Sequence, residues 1–214
     1  MRNSFGGYLV IAGLFSLIGC APVESDAHFE SAPAELMPSS ASSRVMTHNV
    51  IFFVSPESTL DEVDAELEAG ADWFVLEEQG LIDIVEAWDE EIVISDGSSS
   101  GPSAQKVVDS GSSGDVSAGA IFYKVFSASP GYTYTISITA YQTSTGSLIS
   151  DGYARADLWR VKGSTTEWRD SSAVNSGKMK VSTSCGASCT GVRLKIANNA
   201  TVNGHTYVYS VDRT

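Results

Sequence analysis

The sequence predicts a mainly β protein: an antiparallel β-sandwich or jelly roll of seven or eight strands, preceded by a small acidic α+β unit. Three observations carry this expectation. Apolar and small polar residues alternate along Tyr132–Thr139, the period of a half-buried strand. Turn signals recur at Pro130-Gly131, Thr145-Gly146, Asp151-Gly152, Lys162-Gly163, Ser176-Gly177 and Asn203-Gly204. Between Ala120 and Asp212 no stretch carries the cap and spacing of a helix.

Residues 1–19 divide like a secretory signal. Arg2 gives the positive start, and Tyr8–Ile18 is an uncharged run of 11 residues. A membrane-spanning helix needs about 20 apolar residues, so this run is too short to span. It ends in Leu17-Ile18-Gly19-Cys20. These four residues resemble the lipobox of bacterial lipoproteins: an aliphatic residue, a tolerant position, a small residue, then cysteine. The resemblance implies that Cys20 is acylated and becomes the mature N-terminus, a membrane partner held through lipid. Ala21, rather than aspartate, follows the cysteine; in a Gram-negative host the family rule then points to the outer membrane. The alternative is an ordinary cleaved signal with an incidental cysteine.

Residues 20–44 are rich in Ala, Ser, Pro and Glu, too poor in large apolar groups to bury a core. They read as a disordered tether with an r.m.s. span of about 25–30 Å.

Residues 45–96 hold fifteen acids and no Lys or Arg. Asn49–Val54 reads as a buried strand, and Ser55-Pro56 breaks it. Thr59 with Glu62 forms a capping box, Leu60, Val63 and Leu67 share one helical face, and Gly70 ends the helix. Trp73–Leu76 reads as a strand. Leu81–Trp88 fits either a helix or a hairpin partner, and Ile92–Ile94 is a closing strand. Residues 97–119 are dominated by Ser and Gly and read as a linker with one short strand at Gln105–Asp109.

The sandwich domain is placed at residues 120–214. Its expected strands are Ile121–Ser127, Tyr132–Thr139, Tyr153–Val161, Thr166–Arg169, Lys178–Thr183, Val192–Ala197 and Thr206–Val211. Phe122–Phe126, Pro130-Gly131, Tyr134–Ile138, Ala156–Trp159 and Thr206–Val211 together resemble bacterial prepeptidase C-terminal domains. That resemblance implies a secreted, non-catalytic accessory module, often attached to a protease; no protease precedes it here.

Charge and chemistry narrow the function classes. Residues 97–214 hold eleven bases and seven acids, against the fifteen acids before them, and the whole chain stands at −13. An acidic surface of that size repels nucleic acid and anionic lipid. It suits a basic partner, and the net-positive sandwich is one; an electrostatic dock between the halves would loosen at high salt. Cys185 and Cys189 are expected to form a local disulfide in an oxidising compartment, with Gly186 helping the bend. Half of a metal site is the alternative, but only His205 lies nearby in sequence to help complete it. His205 reads as an ordinary surface histidine.

No nucleophile elbow, zinc-protease helix, phosphate loop or dinucleotide fingerprint occurs. Asp61, Glu62, Asp64, Glu66 and Glu68 fall on a helix and read as a solvated face rather than a calcium loop. No cofactor is expected. Most of the aromatic residues read as core, while Trp168, in the polar setting Thr166–Asp170, is the best candidate for an exposed ligand-stacking aromatic. The expected function is therefore a lipid-anchored, non-enzymatic envelope protein whose sandwich binds a protein or glycan. An inhibitor of an envelope enzyme and an envelope-polymer hydrolase are the alternatives. A stapled projecting loop at Cys185–Cys189 would favour the first alternative, and converging carboxylates in a cleft the second.

The anchor gives the first test. Cys20→Ala should move the protein from the membrane pellet to the soluble fraction on ultracentrifugation; continued sedimentation with membranes would remove the lipid anchor from consideration.

Overall fold

A computed structural model describes residues 42–95 and 106–214. The signal, Cys20 and nearly all of the tether lie outside the described residues. The elements run β1 (Ser42–Val54), α1 (Leu60–Ala69), α2 (Trp73–Glu78), β2 (Ile82–Ser95), β3 (Lys106–Val116), β4 (Ile121–Ser127), β5 (Thr133–Gln142), β6 (Ala154–Lys162), β7 (Thr165–Ala173), β8 (Lys178–Ser184), β9 (Cys189–Asn198) and β10 (His205–Arg213). Two antiparallel sheets form, of six strands in the order β2-β1-β4-β9-β6-β7 and four in the order β3-β10-β5-β8. This is the β-sandwich expected, and all seven strands read from residues 120–214 are present.

Alternation places the core. Phe122 and Phe126 of β4, Ala156 and Leu158 of β6, and Val192, Leu194 and Ile196 of β9 point between the sheets. They meet Tyr134, Ile136 and Ile138 of β5, Met179 and Val181 of β8, and Tyr207, Tyr209 and Val211 of β10. Tyr134, Tyr207 and Tyr209 are therefore core residues.

The acidic segment is part of this sandwich. β1 pairs with β4 from His48↔Val125 to Phe52↔Ile121, and with β2 along its whole length. Ile51 faces the inter-sheet core, while Val50 and Phe52 face outward. There they join Ile121, Tyr123, Ala197 and Ile82 beneath Val63 and Leu67 of α1 and Leu76 of α2. A strand covered on both faces reads as a continuous apolar run, and Asn49–Val54 is one. The union of the acidic and basic segments thus rests on a strand ladder and an apolar cluster, neither of which salt weakens.

α1 forms as its sequence predicts. The Thr59 Oγ1 accepts from the Glu62 amide at 3.3 Å, the Glu62 carboxylate accepts from the Thr59 amide at 2.8 Å, and Gly70 takes φ 104°.

Three local expectations are corrected. Trp73–Leu76 is helical, not a strand: the Asp72 side chain caps the Trp73 amide at 2.9 Å, and Glu77-Glu78 extend the turn. Leu81–Trp88 and Ile92–Ile94 belong to one long strand, β2. Its pattern is ambiguous because a bulge at Ile51/Phe52 leaves Val85 unpaired and reverses the alternation. Ile82 and Ile84 face outward with Phe52, whereas Trp88 packs on the inter-sheet core. The Ser/Gly-rich stretch read as linker contains β3, eleven residues long and paired to β10 with two register shifts. Small residues are needed there, since a Cβ at Gly111 would meet the Tyr209 hydroxyl at 2.6 Å.

Leu67 is 1% exposed at the centre of the outer cluster. Leu67→Ala should destabilise the whole sandwich by about 3 kcal/mol in urea denaturation, as one cooperative transition. Small-angle scattering should not change with salt up to about 1 M, where exposed charges are screened within about 3 Å.

Candidate functional site

The outward face of β6, β7 and β9 carries Asp157, Trp159, Trp168 and Lys195, and α1 lies along one side of it. Three contacts fix the helix there. Thr166 Oγ1 donates to the carbonyl oxygens of Leu67 and, at 3.0 Å, Glu68. Arg193 Nη1 donates to the Ala71 carbonyl at 2.7 Å, satisfying an oxygen just beyond the helix end. Gly70 packs so closely on the β6–β7 hairpin that a Cβ would run into the Ser164 carbonyl oxygen.

Between helix and strands lies a groove of about 530 Å³. Lys195, 1% exposed, anchors it. Its Nζ donates to both oxygens of Asp64 at 2.6 and 2.8 Å and lies 3.4 Å from Asp157 Oδ2. The ammonium also sits 5.1 Å from the centre of the Trp159 ring. Arg155 Nε donates to Asp157 Oδ1 at 2.8 Å. Both carboxylates are thus committed to cations, while Asp61 and Glu68 also line the groove, from the exposed side of α1.

Trp159 is 2% exposed, and its indole N–H has no partner among the described residues. Trp168, paired with it across the β6–β7 ladder, is 49% exposed and forms the rim. The aromatic singled out from sequence therefore stands open to solvent beside a polar groove. Tyr153 is equally exposed but lines a smaller recess of about 210 Å³ on another part of the surface, with His205. Sequence reasoning missed Lys195 and Asp157, and did not single out Trp159 from the other aromatic residues. The alternation of β9 could have flagged Arg193 and Lys195, two cations set between Val192, Leu194 and Ile196.

His205 corrects an expectation: it is 3% exposed rather than on the surface, and burial lowers its pKa below the usual imidazole value, partly opposed by Asp115. Cys185 and Cys189 form the expected disulfide, with Cα atoms 5.2 Å apart. Both cysteines pack in the inter-sheet core, so the staple is a three-residue exposed bend tied down at both ends. Among the described residues no group of three or more His, Cys, Asp or Glu is placed to hold a metal ion, and no helix is long and apolar enough to cross a membrane.

No family model matches the chain, and no curated protein matches it. Among solved structures, the chain is similar to the CBM22-1–GH10 modules of the N-terminal endo-1,4-β-D-xylanase 10B of Clostridium thermocellum, complexed with xylohexaose. The identity is 10% and the TM-score 0.34, over 79% of this chain and 26% of that one.

Lys195 holds two carboxylates against one buried ammonium. Lys195→Met should cost about 3 kcal/mol of stability, because Asp64 and Asp157 then face each other without a shared cation. Urea denaturation checks this; a loss below about 0.5 kcal/mol would mean that solvent screens the pair.

Proposed function

We propose that this chain is a lipid-anchored cell-envelope protein whose sandwich is a non-catalytic binding module, and that its ligand is a glycan held in the groove of Trp168. One observation carries the reading: a half-exposed indole at the rim of a polar groove whose floor is a second indole. A sugar ring has apolar C–H faces and polar edges. It therefore suits a site with a flat aromatic surface beside fixed carboxylates and cations. Arg155, half exposed, offers a donor to ring hydroxyls, and Asp61 and Glu68 on the exposed side of α1 offer acceptors. The groove lies on a rigid sheet, which keeps the ordering cost of binding low.

The anchor and the tether would hold this groove off the membrane surface, within reach of envelope polymers. One further reading has support. Asp61, Asp64, Glu68 and Asp157 share the groove, which is the arrangement an envelope-polymer hydrolase needs. Against it, Lys195 engages Asp64 and Asp157 as ion-pair partners, leaving neither free to transfer a proton.

Binding to insoluble envelope polysaccharide and peptidoglycan, followed by sedimentation and by tryptophan fluorescence, separates these readings. The wild type should co-sediment and show an emission shift. Trp168→Ala should weaken binding about thirtyfold, equivalent to about 2 kcal/mol, with an unchanged melting temperature. Equal binding by the variant would move the ligand away from this groove. Release of soluble reducing ends would replace the binding module with the hydrolase.

A further inference from the structure

A second buried lysine lies on the opposite face of the same sheet. Lys124 of β4 points between the sheets and is fully enclosed. Its Nζ donates to Asn49 Oδ1 at 3.0 Å, to Thr47 Oγ1 at 3.1 Å and to Glu90 Oε2 at 3.4 Å. Asp109 Oδ2, from β3 in the other sheet, lies 3.2 Å from the same nitrogen. That oxygen makes no aligned hydrogen bond. Asn49 is 1% exposed and directly opposite Lys124 in the β1–β4 ladder. Trp88 and Tyr209 both stack against Phe122, two residues along β4 from Lys124. The Tyr209 ring centre is 5.1 Å from Nζ.

This arrangement brings together a primary amine, a carboxamide and a carboxyl group away from water. We propose that Lys124 and Asn49 join in an amide bond between Nζ and Cγ, with Asp109 carrying the protons and ammonia leaving. Burial raises the pKa of Asp109, with the Lys124 charge opposing, so this carboxylate takes a proton more readily than an exposed one.

The steps balance. The Lys124 ammonium gives a proton to Asp109, leaving a neutral amine and a neutral acid. Nζ forms a bond to Asn49 Cγ while the acid protonates the carboxamide oxygen. The second Nζ proton passes through the Asp109 carboxylate to Nδ2. The Cγ–Nδ2 bond then breaks, and Nδ2 leaves with its electron pair as ammonia. The proton on the former carboxamide oxygen returns to the carboxylate and leaves with the ammonia as ammonium, so Asp109 ends as it began. The product is a secondary amide that closes a 75-residue separation between β1 and β4. Exclusion of water suppresses hydrolysis as the competing outcome.

Mass spectrometry of the full chain, denatured, reduced and digested with trypsin, tests the bond. The expected product is the peptide that begins after Arg44 and carries Asn49, joined to the peptide that carries Lys124. Its mass is one ammonia below the sum, and no cleavage occurs after Lys124. Separate peptides at their sequence masses, cut after Lys124, would overturn the proposal. A joined product one water lighter would place the bond on Glu90, and a single peptide of residues 107–155 one water lighter, uncut after Lys124, would place it on Asp109; either would overturn the Asn49 assignment. Asp109→Ala keeps both reacting groups and should lose the link at least tenfold; a link formed to the wild-type extent would overturn the role of Asp109. If that variant does not fold, the wild-type digest still decides the bond.

Discussion

Pairing of β1 with β4 is the constraint on which the rest of this structure depends. It adds a hairpin to the edge of the sandwich and makes the six-stranded sheet carry apolar residues on both faces. The inner face closes against the four-stranded sheet. The outer face needs its own cover, and α1 and α2 supply it through Val63, Leu67 and Leu76. A helix of ten residues with one apolar stripe is marginal alone. Here it is held by that stripe, by Thr166 and Arg193 at its C-terminal end, and by Asp64 on Lys195. The groove exists because the helix covers β9 and part of β7 while leaving Trp168 open. An apolar constraint at one edge of the sheet thereby shapes a polar site at the other.

The division of charge along the chain takes on a different meaning in this frame. Fifteen acids without a base suggested a body that docks on a basic partner by attraction. The docking is instead apolar and hydrogen-bonded, and only a few acids do specific electrostatic work. Asp64 meets Lys195 on the outer face and Glu90 meets Lys124 on the inner one. Both lysines come from the basic segment, where Asp157 and Asp109 already face them, and the acidic segment adds a second carboxylate to each. Most of the other acids are solvated, along α1 and the outward edge of β2. Their repulsion favours solubility more than it favours any contact.

How far the sequence could be read follows from the same geometry. β4 to β6 and β8 to β10 were legible because one face of each meets the core, and Gly-containing turns punctuate all seven strands from β4 on. α1 was legible because its capping box and its terminal glycine are local signals. The failures have physical reasons. β2 conceals its strand behind a bulge that reverses its parity at Val85. β3 has a composition that the Tyr209 side chain requires, yet it reads as a linker. α2 is a six-residue helix whose Trp73-Phe-Val-Leu76 has strand propensity and no strand to pair with. For the site, Trp168 could be found because its neighbours are polar. Trp159 reads like any core aromatic, and the alternation of β9 marks Lys195 as a cation without showing its burial, which depends on a helix some 130 residues earlier.

The two buried lysines also show why similar charge sets lead to different chemistry. Lys195 is held by two carboxylates, Asp64 and Asp157, whose resonance makes their carbon a poor target for an amine. Lys124 has a carboxamide directly opposite it in the ladder, and a carboxylate reaching in from the other sheet. Only the second set combines a nucleophile, an acyl group with a nitrogen to expel and a group able to move protons between them. Structural buried ion pairs offer stability that an apolar replacement often matches. A covalent tie between β1 and β4 would instead fix the one pairing that the outer cluster, the helices and the groove all require.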